Sequence, residues 1–248
     1  MNPRDAAQQV EHGVTLPDGT EERFSGYGLM GQPFTSGHIL GLRRFVATSI
    51  GPGYKSVWHR NPEGEWTFYQ DAPPLLACPR YFGNELHRTI QVGEINIVWS
   101  NPWEFRVSIN GNHQLDWRTS LRPTPATRLM NSMGSLMPNP MWRNPVVLKV
   151  MGGFASLLLG AGHLGLTGNV PNGQGFLANP RQIWTVVTSS ASIEGEDVGT
   201  IGPLQVQSRL GDFWIPQRGI FAIGNTFFDV YDPARHLQKI SRLDGMVA

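Results

Sequence analysis

The sequence holds a single cysteine, Cys78, among 248 residues. One thiol cannot close an internal disulfide, so no disulfide framework supports this chain and nothing in it requires an oxidising compartment; the cytoplasm is the expected location. Charge is also sparse, because 16% of residues are charged where an average soluble domain has roughly 25%. The 20 Lys and Arg nearly balance 19 Asp and Glu, and the basic residues are scattered, Arg43-Arg44 being their densest pair. Proteins that hold a polyanion gather such residues into a strip or patch, so nucleic acid is not an expected partner. No apolar run reaches the roughly 18 residues of a membrane span, and the start Met1-Asn2-Pro3-Arg4-Asp5 lacks the apolar core of a signal peptide. The Gly-x-Ser-x-Gly elbow of serine hydrolases is absent, and Cys78-Pro79-Arg80-Tyr81 lacks the surroundings of a cysteine nucleophile, so Cys78 is expected as a buried apolar residue. The seven histidines are widely spaced and none pairs at helical or hairpin spacing, so neither a metal nor another cofactor is expected.

What the chain has in plenty is glycine (29), proline (19) and aromatic residues, with 8 Trp, 5 Tyr and 12 Phe, a composition suited to short aromatic strands joined by many turns. Residues 1–23 are polar and punctuated by Gly and Pro, and read as an arm that is ordered only if it docks. A first β half spans 24–123. In it Ser56–Arg60 and Glu65–Tyr69 flank the turn Asn61-Pro62-Glu63-Gly64, and Ile95, Ile97, Trp99, then Phe105, Val107, Ile109, then Leu115, Trp117, Thr119, Leu121 alternate with polar positions. That alternation predicts antiparallel strands with one face buried and a tight turn at Asn110-Gly111-Asn112. It also places Asp116 on the opposite face beside Arg106, as a surface ion pair. Thr124-Pro125 and Asn144-Pro145 are cap-plus-proline starts, so 124–176 is expected to hold two helices and a Gly-rich loop. The second helix, 146–159, is apolar nearly all round, and too short to span a bilayer. A second β half occupies 177–248 and ends in a short helix opening at Asp232-Pro233. The fold expected is mainly β: one or two antiparallel barrels, or a sandwich, with a central helical insertion.

Candidate functional residues follow from parity and from charges set in apolar runs. Gly160-Ala161-Gly162-His163-Leu164-Gly165 spells the dinucleotide fingerprint, but it follows a helix and precedes a proline loop, so it reads as a helix exit. In Ser56–Arg60 one face carries Val57 and His59 and the other Trp58 and Arg60, so one polar group is forced inward; His59 is the candidate proton carrier, weighed against a satisfied core histidine. The run Leu210–Phe221 sets Asp212 and Arg218 among apolar residues, either as a pair that pins a hairpin or as an acid and a clamp on a ligand. Asp212 is therefore a second proton-transfer candidate, with Trp58, Tyr69, Tyr81, Arg128, Trp214 and Arg218 as candidates for binding substrate.

The segments Ser56-Val57-Trp58-His59-Arg60 with Glu65-Trp66-Thr67-Phe68-Tyr69, and Ala191–Gly199, together with the order aromatic β half, insertion, second β half, resemble the double lipocalin-like superfamily that includes carotenoid hydratases and some cyclising enzymes. The resemblance implies an apolar cavity enclosed by strands. The function expected is to enclose an isoprenoid, steroid or polyketide-like molecule. The protein then acts on it by cofactor-independent acid-base chemistry (hydration, isomerisation or cyclisation) or only carries it. On that reading the helix 146–159 is a lid, or dips into a membrane as a peripheral contact to collect the substrate. The alternative is an interaction module whose apolar helix 146–159 docks a partner or a second copy in a homodimer.

Overall fold

The computed structural model describes residues 1–237. The chain is mainly β. Strands β1 (Glu22–Pro33), β2 (Ile39–Thr48), β3 (Tyr54–Arg60), β4 (Trp66–Gln70), β5 (Arg88–Gln91), β6 (Ile95–Asn101), β7 (Glu104–Ile109) and β8 (Leu115–Arg122) are followed by β9 (Thr167–Asn169), β10 (Gly175–Ile193), β11 (Glu196–Asp197), a small hairpin β12 (Arg209–Leu210) and β13 (Phe213–Trp214), and β14 (Ile220–Phe228). All but β12 and β13 join one sheet in the order β5-β4-β3-β2-β1-β14-β10-β8-β7-β6, with β9 and β11 both paired to β10. Every pairing is antiparallel except β4 with β5.

The sheet curls on itself. Tyr69 and Ile90, from one end of the strand order, share a core with Ile95, Phe105 and Val107 from the other end, so the outer strands meet across an apolar interior instead of presenting two flat edges. The strand β10 is 19 residues long and has to bend. Its register slips between Pro180 and Gln182, where proline has no N–H to give the ladder, and again between Val186 and Thr188 as its partner changes from β14 to β8. Apart from the β12–β13 hairpin, the described strands thus form one curled sheet, not two barrels, and its two faces carry two aromatic cores, one around Leu42, Val57, Trp117 and Phe221, the other around Phe24, Trp58, Phe68, Tyr81 and Phe228.

The alternation of β6, β7 and β8 is as the sequence predicts, and Asp116 bonds Arg106 across the exposed face at 2.6 Å. The polar start docks: α1 (Pro3–Gly13) buries Ala6 and Ala7 against the first core, and Glu11 accepts from Tyr27 and Arg44 on β1 and β2. After the short helix α2 (Pro79–Phe82) the two helices of the insertion begin at their caps. In α3 (Pro125–Leu136) Thr124 and Thr127 exchange side-chain and backbone bonds, and in α4 (Pro145–Leu159) the Asn144 carboxamide accepts from Val146 N at 2.9 Å. Gly160, at φ 58, ends α4 in the left-handed region that glycine tolerates, so the fingerprint-like segment is a helix exit. The expected C-terminal helix shows only a turn at Asp232–His236; the remainder of that expectation lies outside the described residues.

Glu22, 8% exposed, joins three parts of this fold, accepting from Arg80 and Tyr81 of α2 and from Gln174 ahead of β10. Desolvation pushes its carboxyl upward, but those donors and the Arg80 charge outweigh it and hold the group below the usual carboxylate range. Glu22→Ala strands a cation, a hydroxyl and an amide at once, and is expected to lower unfolding free energy by about 3 kcal/mol in urea titration. A loss below about 1 kcal/mol would show that water replaces the carboxylate at no great cost.

Candidate functional site

Between one face of the sheet and the insertion lies a cavity of about 140 Å³. Strands β2, β3, β10 and β14 supply Arg43, Tyr54, Trp58, Asn179 and Phe228; the helices supply Met130 and Asn131 from α3 and Met151, Ala155 and Leu159 from α4; the loop after α4 and β13 add Leu164 and Trp214. The cover is fastened by Asn131, whose side chain bonds the backbone N and O of Ile183 at 2.8 and 3.0 Å, just past the bend in β10. In α4 the buried face is Leu148, Gly152, Ala155 and Leu159; a Cβ at Gly152 would lie 2.4 Å from the Leu164 carbonyl, so only glycine lets the helix pack this closely on its exit loop.

Arg43 sits in this wall with 4% exposure. Its Nη1 donates to the Leu29 and Leu42 carbonyls at 2.7 and 2.8 Å, and Nη2 to Met30 at 3.2 Å. The bulge that interrupts β1–β2 pairing between Leu29 and Gln32 makes this possible, because it turns the Leu29 and Met30 carbonyls out of the ladder and toward the guanidinium. The charge also lies over the Trp58 ring at 4.2 Å and the Phe213 ring at 5.6 Å. Trp58 is itself stacked on Phe68 at 4.2 Å, so the platform is rigid. Among the described residues no carboxylate pairs with Arg43. Burial lowers its pKa to about 10, which leaves it a cation at neutral pH.

Beside it Tyr54 Oη and Cys78 Sγ are 3.3 Å apart. Burial pushes both groups upward, so hydroxyl and thiol keep their protons at neutral pH. Tyr81 stacks on Phe228 at 3.8 Å and donates to Glu22. Further buried polar atoms of the lining, Trp58 Nε1, Trp142 Nε1 and Asn179 Oδ1, find no hydrogen-bond partner among the described residues. The site therefore offers one buried cation, several donors and an apolar wall.

Of the residues picked out in the sequence, Trp58, Tyr81 and Trp214 line this cavity. The others lie elsewhere. His59 faces the opposite side of β3, stacked on His38 with Nε2 2.9 Å from His38 Nδ1. Tyr69 belongs to the first core, edge-on to His113. Asp212 is exposed in the β12–β13 turn, accepting from Asn169 N at 2.9 Å, and does not pair with Arg218, which is also exposed. Arg128 is on the outer side of α3. Sequence reasoning missed Arg43 and Tyr54. The signal was present in Arg43-Arg44: neighbours on a strand face opposite ways, so one arginine of the pair had to turn inward. Among the described residues no three metal-ligating side chains converge.

No family model and no curated protein matches this chain. Among solved structures it is similar to the acetoacetate decarboxylase of Legionella pneumophila subsp. pneumophila str. Philadelphia 1, at 12% identity over 91% of this chain and 90% of that one, with a TM-score of 0.42. A likeness at that level assigns neither a family nor an activity.

The His59 imidazole is pushed down to about 4, first by burial and second by the His38 charge. The sign of the consequence is fixed: the unfolded chain binds this proton near pH 6.5 and the folded one only near 4, so the stability is complete above about pH 6.5 and is lost as pH falls toward 4. Urea midpoints measured against pH are expected to decline across that window, above the range where Glu11 and Glu22 titrate, and His59→Gln to flatten the decline. A midpoint constant from pH 7 to 5 would contradict the burial of a neutral His59.

Proposed function

We propose that this protein encloses an apolar small molecule bearing one anionic group, with Arg43 receiving the anion and the aromatic wall receiving the remainder. One observation carries the reading: a guanidinium shut from water in an apolar cavity whose charge no described carboxylate neutralises. Taking such a charge out of water costs several kcal/mol, and carbonyls and ring faces return only part of it. The bonds to Leu29, Leu42 and Met30 use three of the five guanidinium N–H donors, leaving two for a ligand. A carboxylate matches that geometry better than an alcohol or ketone, because it accepts charge-assisted bonds on two oxygens. The cavity is close in size to one that accepts benzene, about 150 Å³, so the enclosed part of the ligand is a single ring or a short chain. That is smaller than the steroid or isoprenoid skeletons the sequence suggested.

A second reading, acid catalysis on the bound molecule, is favoured by the Tyr54 hydroxyl and Cys78 thiol, both protonated and both beside the guanidinium. These groups are placed to donate hydrogen bonds to an anion held at Arg43, and a proton only to an atom that becomes strongly basic during reaction. Among the cavity's ionisable groups none is a carboxylate or an imidazole, so proton abstraction has no evident agent there. Binding is accordingly the primary claim.

Calorimetric titration with benzoate and with benzyl alcohol, which differ chiefly in the anion, tests it. Benzoate is expected to bind at least tenfold more tightly, and Arg43→Met to erase that preference while leaving the benzyl alcohol affinity within about threefold. Equal affinities for both compounds in the wild-type protein would overturn the assignment of an anionic ligand.

A further inference from the structure

The insertion has an outer side as well as an inner one. In α4 the residues turned away from the cavity are Val146 (71% exposed), Val150 (69%), Phe154 (41%) and Leu157 (85%), a stripe at helical spacing. In α3 the corresponding stripe is Leu129, Met133 and Leu136, the last 84% exposed, and Met141 continues it between the helices. Scattered apolar side chains on a surface are ordinary, but two adjacent helices each presenting such a stripe are not.

The charge carried by the insertion itself is of one sign. Between Asp116 and Glu194 the sequence contains no acidic residue at all, against six basic ones: Arg118, Arg122, Arg128, Arg143, Lys149 and Arg181. Arg143 is engaged by Glu21 at 3.2 Å, and Arg181 lies over Trp142. Lys149 and Arg128 are exposed on the two helices, and no described carboxylate pairs with either. An apolar stripe on helices whose own charged side chains, Lys149 and Arg128, are both cations suits a plane that is greasy within and anionic at its surface. It does not suit a second copy of itself, because a symmetric contact would bring the basic edge of one insertion against that of the other with no acid between them. No helix of the described residues is long and apolar enough to cross a membrane, and the 15-residue α4 fits lying in the interface.

We propose that the outer face of α3 and α4 docks on an anionic lipid bilayer, with Leu157, Val150 and Leu136 entering the headgroup boundary and Lys149 and Arg128 meeting lipid phosphates. This rests on the outer surface alone and stands whether or not the cavity takes an acid. The two connect through α4, since Met151, Ala155 and Leu159 on its inner side line the cavity. A molecule dissolved in the bilayer is then one helix thickness from the cavity.

Flotation of the full chain with vesicles tests the proposal, comparing pure phosphatidylcholine with phosphatidylcholine carrying phosphatidylglycerol at about one lipid in three. The anionic vesicles are expected to carry the protein and the neutral ones at least tenfold less, with binding weakened as salt rises from 0.1 to 1 M and the screening length shrinks from about 10 to 3 Å. Leu157→Asp is expected to abolish flotation and Lys149→Glu to weaken it about tenfold, each with an unchanged thermal melt because both side chains are exposed. No flotation with anionic vesicles would overturn the proposal. So would sedimentation analysis showing a dimer that Leu157→Asp dissociates, because the apolar face would then be covered by a second copy.

Discussion

A guanidinium held away from water without a carboxylate beside it is the constraint on which this architecture turns. Ionic groups leave water only when something else solvates them, and here the solvation is assembled from backbone carbonyls and aromatic faces. Each piece makes a demand on the fold. The carbonyls of Leu29 and Met30 are available only because β1 bulges; the Trp58 face is fixed only because Phe68 stacks behind it; the dryness requires a cover over the open side of a curled sheet. A sheet built for stability alone would have placed an aliphatic residue at position 43, as it does at Leu40 and Leu42 on the opposite face of the same strand. A buried cation whose charge no described carboxylate neutralises is costly to keep, and that cost is the physical reason for reading the site as functional.

The cover repeats the logic at larger scale. The helices α3 and α4 are apolar on both sides, and the two sides answer to different surroundings: the inner one completes the cavity, the outer one meets solvent as the chain stands alone. Had the insertion served only to close the cavity, its outer face would carry the usual mixture of charges. The absence of acid from Asp116 to Glu194 means that the bias extends well beyond the two helices.

Much of this was legible in the residues, and the failures have identifiable causes. Strict period-two patterns gave β6, β7 and β8 and the Arg106–Asp116 pair, because one face buried and one exposed leaves an unambiguous trace. Cap-plus-proline signals gave both starts of the insertion. The cavity wall was found at Trp58, on a strand face, at Tyr81, and at Trp214 in the apolar run that carries Asp212. It was missed at Arg43 because β2 is buried on both faces at that point, which removes the alternation and leaves Arg43-Arg44 looking like a surface pair. Parity gave only that either His59 or Arg60 turns inward; His59 is buried, but the sheet has two cores, and parity alone does not say which one holds the site. Asp212 and Arg218 stood out for being charged among apolar neighbours. In the structure a tight turn at one and an exposed loop at the other return both to solvent, an outcome set by long-range packing and not by local sequence.

The most direct test of the central claim is to watch the guanidinium itself. With arginine labelled with nitrogen-15, the Nε–H resonance of Arg43, assigned by its loss in Arg43→Met, can be followed as benzoate is added. The account predicts a saturable downfield displacement of that resonance, with slower hydrogen exchange, as a carboxylate bonds to it. Displacements confined to other arginines, with Arg43 unmoved at saturation, would mean that the buried charge serves the fold alone.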